Sequence, residues 1–128
     1  MNEKKFTVRP RIEVNLTQQD IDDIMATASE GGINYWCRKA EVVGEYLGKY
    51  ASEQISRGGA LILHDAESDD KWGLTLEKFL NGVKLWLQNK EDRYGAAKTD
   101  GTFDTWNIDA EMADMIVQYA LFGEVVFG

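Results

Sequence analysis

Residues 60–88 read ALILHDAESDDKWGLTLEKFLNGVKLWLQ, and this stretch carries the strongest structural signals in the chain. Its first five residues form a compact apolar run that predicts a central strand. The acidic cluster at residues 67–70 is typical of a turn, so residues 71–74 are expected to return as the hairpin partner. Thr75 is the expected N-cap of a helix that follows the hairpin. Gly82 lies within this helix and is expected to allow a strand to approach it closely. The apolar residues at helical spacing are Leu76, Phe79, Leu80, Val83, Trp86 and Leu87.

Two more helices are predicted, one on either side of this unit. Thr17 is the expected N-cap of the first helix, which carries an apolar stripe. This helix is expected to end at Gly31 and Gly32, with one glycine available for the left-handed position after the helix. Asp109 is the expected N-cap of the last helix, and Gly123 is expected to end it. The sequence therefore predicts about three helices.

The remaining segments carry weaker patterns. Residues 11–16 alternate polar and apolar side chains, which predicts a half-buried strand. Most of residues 33–43 and the short run at residues 125–127 are predicted strands, and residues 50–57 are a predicted short helix. Residues 89–107 have no periodic pattern and predict a long loop, a feature that is often functional.

Composition bounds the size and class of the protein. The chain has 128 residues, of which 44% are hydrophobic, so a single domain over residues 1–128 can bury a core. We predict an α+β fold in which helices pack on one face of a small, mostly antiparallel sheet. No apolar run approaches the roughly 20 residues of a membrane span, and the charged N-terminus lacks a secretory signal. We therefore expect no membrane contact. The single cysteine, Cys37, fits a reducing compartment, so we expect a cytoplasmic location in a host cell.

Charge is distributed unevenly along the chain. The formal net charge is −8, and residues 1–11, a basic N-terminal lead-in, hold four basic residues against one acidic residue. The rest of the chain therefore carries −11, and residues 99–128 contain six acidic residues and no basic residue. This acidity disfavours direct nucleic-acid binding and favours docking on a basic protein through Asp109, Glu111 and Asp114. The alternative is a solvated acidic face that only keeps the protein soluble.

The sequence holds no recognisable catalytic, metal or phosphate-binding motif. Neither GxxxxGK[ST] nor GxGxxG occurs. His64 is the single histidine and lacks the partner spacing of a metal site, so we expect it at the rim of the core. Cys37 is expected to be a buried side chain and not a nucleophile. We therefore expect no enzyme activity, no metal and no cofactor.

Asn34, Tyr35 and Trp36 follow the double glycine and suggest a recognition surface. Neighbouring residues in a strand point to opposite faces, so one of the two aromatic rings is expected to lie outside the main core. Asn34 adds an amide that can bond to a base edge or to a backbone. Two alternatives stay open: both rings fill the core, or both stack on a nucleotide in a small-ligand site.

Three segments resemble a known family of proteins. Residues 30–36 read EGGINYW, residues 109–114 read DAEMAD, and residues 118–128 read QYALFGEVVFG. Together they resemble a family of small uncharacterised proteins encoded on phages, prophages and other mobile elements, many from gut Firmicutes. The likeness spans residues 16–128 apart from the loop at residues 89–107, and it implies an accessory protein, with no activity, cofactor or catalytic residue to transfer.

We therefore predict a small acidic protein that inhibits or modulates a host factor. One such host factor is a defence system that targets nucleic acids. The protein would then act as an anti-CRISPR protein does. Homo-oligomer formation stays open at this stage. The alternative function is the binding or sequestration of a small ligand such as a nucleotide.

Overall fold

The computed structural model describes residues 3–8 and 11–128. Its helices and strands, in chain order, are α1 (Gln18–Thr27), β1 (Cys37–Val42), β2 (Leu61–Asp65), β3 (Lys71–Leu74), α2 (Leu76–Gln88) and α3 (Ala110–Phe122). The strands form one antiparallel sheet in the order β1-β2-β3. The predicted α+β fold is therefore confirmed, with β2 as the central strand.

Local sequence signals set the ends of the three helices. The Thr17 hydroxyl accepts a hydrogen bond from the Asp20 N–H (3.0 Å), and the Asp20 carboxylate accepts one from the Thr17 N–H (2.9 Å). Asp109 caps α3 by accepting a hydrogen bond from the Met112 N–H at 2.8 Å. Gly123 follows α3 in the left-handed conformation, with φ of 74°. These capping predictions are confirmed.

The end of α1 differs from the prediction. The helix continues into a π-helical turn over Ala28–Gly32, and neither Gly31 nor Gly32 has a positive φ. Gly32 is buried against α3, where an added Cβ would lie 2.7 Å from the Ala110 carbonyl oxygen. The backbone of the π-helical turn therefore packs so closely on that of α3 that only glycine, which has no Cβ, fits at position 32.

The apolar stripe of α2 is narrower than predicted. Phe79, Val83 and Trp86 are buried, but Leu80 is 43% exposed, so its predicted place in the core is wrong. The close approach predicted at Gly82 exists, but the partner is a helix and not a strand. An added Cβ at Gly82 would lie 2.7 Å from atoms of Ala120 in α3.

Two predicted strands are absent from the described residues. Residues 11–16 pair with no strand, and their backbone is held instead by a hydrogen bond from the Asn15 N–H to the Gly101 carbonyl (2.8 Å). Residues 125–127 form no ladder, and the N–H groups of Val126 and Phe127 donate to the Gln118 side chain and not to a strand. Alternation marks a half-buried segment, but a strand also needs a neighbouring edge.

The other predictions for weakly patterned segments are confirmed in part. Residues 33–36 form a turn, so β1 is shorter than the predicted strand, and the predicted helix at residues 50–57 is a 3-10 turn over Ala51–Glu53 followed by turns. Residues 89–107 form the predicted loop, with one isolated bridge and a 3-10 turn over Thr105–Asn107. Residues 3–8 are exposed and carry no helix or strand. The rest of the predicted lead-in, apart from residue 11, lies outside the described residues.

Candidate functional site

The buried carboxylate of Asp114 joins α3 to the turn that precedes β1. It accepts hydrogen bonds from the Tyr35 hydroxyl (2.6 Å) and from the Trp36 indole N–H (2.8 Å). A third hydrogen bond comes from the Gln118 amide, one turn further along α3, at 2.9 Å. Asp114 is 6% exposed, so these donors replace the water that its carboxylate loses.

Gln118 extends this network to the C-terminal segment. Its side-chain carbonyl accepts hydrogen bonds from the N–H groups of Val126 (2.7 Å) and Phe127 (2.8 Å). Its amide donates to the Phe127 carbonyl at 3.2 Å. A single fully buried side chain therefore holds the C-terminal segment in place of a strand.

Trp36 belongs to an aromatic cluster and not to a recognition surface. Its ring stacks on Phe127 with centroids 5.0 Å apart and an interplanar angle of 6°, and it makes edge contacts with Trp72 and Phe122. Because Trp36 is 2% exposed, the predicted two-ring platform for stacking a nucleotide is wrong. The predicted docking role of Asp114 is also wrong, because its carboxylate is buried and already bonded.

Tyr35 is the aromatic residue of the pair that stays accessible. Its side chain is 54% exposed, while its hydroxyl remains bonded to Asp114. Neighbouring Asn34 is exposed and lines a cleft of about 590 Å³ between the π-helical turn and β1. Partial burial and the hydrogen bond to Asp114 raise the pKa of Tyr35 to about 12. The phenol is therefore a stable donor at neutral pH.

An alkaline titration tests this contact. The raised pKa means that the folded state favours protonated Tyr35, so this stabilisation is present below pH 10.0 and is lost as pH rises through about 12. We expect the absorbance difference between the wild-type chain and Tyr35→Phe to titrate near the raised value. A component that titrates at the ordinary value of 10.0 would contradict the hydrogen bond.

The two remaining predicted acidic residues lie at the start of α3. Glu111 is exposed and pairs with Arg93, with 3.3 Å between its carboxylate oxygen and the guanidinium nitrogen. That hydrogen bond raises the pKa of Arg93. Asp109 is exposed, and in the described part of the chain neither it nor Asp104 forms an ion pair.

Among the described residues, Trp106 is the most exposed large hydrophobic residue, and no sequence prediction included it. Its side chain is 95% exposed. The 3-10 turn is nevertheless well anchored: Asp104 accepts a hydrogen bond from the Trp106 N–H (3.0 Å), and the Thr105 hydroxyl donates to Asp23 (3.0 Å). A tryptophan between two aspartates in an unpatterned loop was the sequence signal that could have identified it.

Contacts link this turn to the start of α3. The Asn107 amide donates to the Gly95 carbonyl at 3.5 Å, and the preceding Tyr94 is 59% exposed. Arg93 lies 6.0 Å from the centre of the Tyr94 ring and pairs with Glu111, which is one turn before Asp114. We define the acidic aromatic surface as Tyr35, Tyr94, Trp106, Asp109 and Glu111.

Neither Cys37 nor His64, the two residues considered for catalysis or metal binding, belongs to the acidic aromatic surface. Cys37 is buried, and burial raises the pKa of its thiol, which disfavours the thiolate. His64 lies 3.0 Å from Glu41, and that hydrogen bond lowers the pKa of the carboxyl group. Within residues 3–8 and 11–128, no group of three or more His, Cys, Asp or Glu side chains is placed to hold a metal ion.

The described helices are all too short or too polar to cross a membrane. Comparisons with protein-family models, with curated proteins and with solved structures find no match to this chain.

Proposed function

We propose that this chain is a small acidic binding protein that inhibits or modulates a host factor by occupying a basic surface of that factor. The observation that carries the proposal is Trp106, a 95% exposed tryptophan on a hydrogen-bonded turn beside acidic side chains. Burial of one tryptophan at the centre of an interface contributes a large share of binding free energy.

Anchoring of the turn supports a role in recognition. A ring on a mobile loop loses conformational entropy when it binds, whereas the Trp106 backbone is already fixed by Asp104. Tyr94 and Tyr35, which are both more than half exposed, add further aromatic area. Tyrosine and tryptophan are the residues most enriched in such binding surfaces.

Charge supports the choice of a basic partner. Asp104 and Asp109 flank the tryptophan and carry no cationic partner among the described ion pairs. Unpaired surface carboxylates attract a basic protein at long range and speed its encounter. The resemblance to mobile-element proteins supports a host factor, and nucleic-acid-targeting defence systems are the class whose basic grooves suit this surface.

Affinity capture from a Firmicutes host lysate, followed by binding kinetics with the purified captured protein, tests the proposal. Trp106→Ala is expected to raise the dissociation constant at least roughly 30-fold, from the loss of ~2 kcal/mol. Because the ring is almost fully exposed, the thermal stability of the variant is expected to stay unchanged. The matched control is Tyr46→Ala, which removes another exposed aromatic ring, 61% exposed, outside the surface.

A second matched pair of variants tests whether the acidic side chains attract the basic partner. Glu111→Lys and Glu77→Lys change the second residue of α3 and of α2, respectively, in the same way. We expect Glu111→Lys to slow association and to reduce its salt dependence, and Glu77→Lys to have little effect. Equal effects of the two reversals, or capture that is insensitive to Trp106→Ala, would overturn the proposal.

A further inference from the structure

The N-terminal arm, residues 11–16, is an unpaired segment with one apolar side. Ile12, Val14 and Leu16 alternate with polar residues, and Ile12 is 54% exposed. In the described part of the chain, the only backbone hydrogen bond of the arm runs from the Asn15 N–H to Gly101. In an extended segment the N–H groups of Ile12 and Val14 point away from that contact, so this edge of the arm has no hydrogen-bond partner among residues 3–8 and 11–128.

A groove of about 670 Å³ lies between this arm and α2. Its apolar lining consists of Ile12, Val14, Leu16, Leu80, Val83 and Leu87. This lining includes Leu80, the residue of the α2 apolar stripe that is 43% exposed. The groove therefore carries apolar area that the described residues do not cover.

We propose that a second copy of this chain covers the groove by pairing its arm antiparallel to the first, about a twofold axis at Ile12. An added strand supplies partners for the N–H and C=O groups of Ile12 at the axis, and its own apolar side chains extend over Leu80. A twofold pairing requires a self-complementary sequence, because each contact occurs twice.

The arm is self-complementary in charge. In the register centred on Ile12, Arg11 of each copy lies directly opposite Glu13 of the other, which gives two cross-strand pairs of opposite charge. The basic lead-in, residues 1–11, carries +3 and the remainder of the chain −11, so the lead-in of each copy is attracted to the acidic remainder of the other. The inference shares no residue with the acidic aromatic surface and stands independently of the proposed function.

Sedimentation velocity of the full chain over a concentration series tests the proposal. We expect a dimer that dissociates on dilution and at high salt. Ile12→Glu places like charges at the axis and is expected to give a monomer with an unchanged circular dichroism spectrum, because Ile12 is exposed. The matched control is Val43→Glu, at a residue 48% exposed outside the arm, which is expected to remain dimeric.

A charge swap tests the register itself. Arg11→Glu and Glu13→Arg are each expected to weaken the dimer roughly tenfold, because both cross-strand pairs become repulsive. The double variant Arg11→Glu/Glu13→Arg restores opposite charges and is expected to recover the wild-type dissociation constant. A wild-type chain that is monomeric at every concentration, a dimer that persists in Ile12→Glu, or a folded double variant that does not recover would each overturn the proposal.

Discussion

Asp114→Ala is expected to lower the free energy of unfolding by about 3–5 kcal/mol. The substitution removes the acceptor shared by Tyr35, Trp36 and Gln118. The indole N–H of Trp36 and the amide of Gln118 are then buried without that acceptor, and each buried unpaired donor costs roughly 1–3 kcal/mol. The half-exposed Tyr35 hydroxyl can turn to water and contributes less. Urea denaturation measures the loss.

Glu111→Ala is the control for this experiment. It removes a carboxylate one turn earlier on α3, from an exposed side chain whose partner Arg93 is also exposed. We expect a change within about 0.5 kcal/mol, the usual range for surface substitutions. If the two variants lost similar stability, the network around Asp114 would not hold the three segments together.

Gly82→Val is expected to destabilise the protein by at least about 3 kcal/mol. An added Cβ would lie 2.7 Å from the Ala120 N atom and the Ile116 carbonyl oxygen, both of which belong to the backbone of α3. A side chain can rotate away from a clash, but a helix backbone cannot, so α2 and α3 must separate. Separation loses packing along both helices, which contribute Phe79, Val83, Trp86, Met112, Ile116 and Ala120 to the core.

Asn81→Val places the same branched side chain at the adjacent, exposed position of α2. This control carries the helix-propensity cost of valine without the contact to α3, so we expect a change of no more than about 0.5 kcal/mol. Thermal unfolding followed by circular dichroism compares the two variants. A Gly82→Val chain as stable as Asn81→Val would show that the two helices do not pack this closely.

Leu80 shows why the sequence determined the helices but not every buried residue. The spacing from Leu76 to Leu87 predicts α2 correctly, and Thr75 marks its start. A stripe of that width does not reveal which of its residues the neighbouring elements cover. Phe79 and Val83 are buried, whereas Leu80 is left at the rim of an open groove. Burial depends on the partner surface, which periodicity does not contain.

The candidate site shows the same division. Tyr35, Asp109 and Glu111 are accessible as predicted, because turns and helix starts lie at the surface. Trp36 and Asp114 are buried together, although 78 positions separate them in the chain. An acidic residue in an acidic segment is expected to be solvated. Its burial becomes favourable because two donors from a distant turn, Tyr35 and Trp36, join a third, Gln118, one turn along the same helix.

The sequence by itself determined the features that depend on neighbouring residues. These are the capped starts of the three helices, the hairpin of β2 and β3, the left-handed glycine after α3 and the long loop. Each rests on contacts within a few residues, such as a side-chain oxygen on a free N–H at a helix start.

Only the tertiary structure decided which surfaces face each other. It set the close approach of α2 to α3 at Gly82, the polar network around Asp114, the exposure of Trp106 and the free edge of the arm. The physical reason is that burial and hydrogen-bond satisfaction are properties of pairs of segments far apart in the chain. The same local pattern is stable in the core or at the surface, and the partner that covers it decides between them.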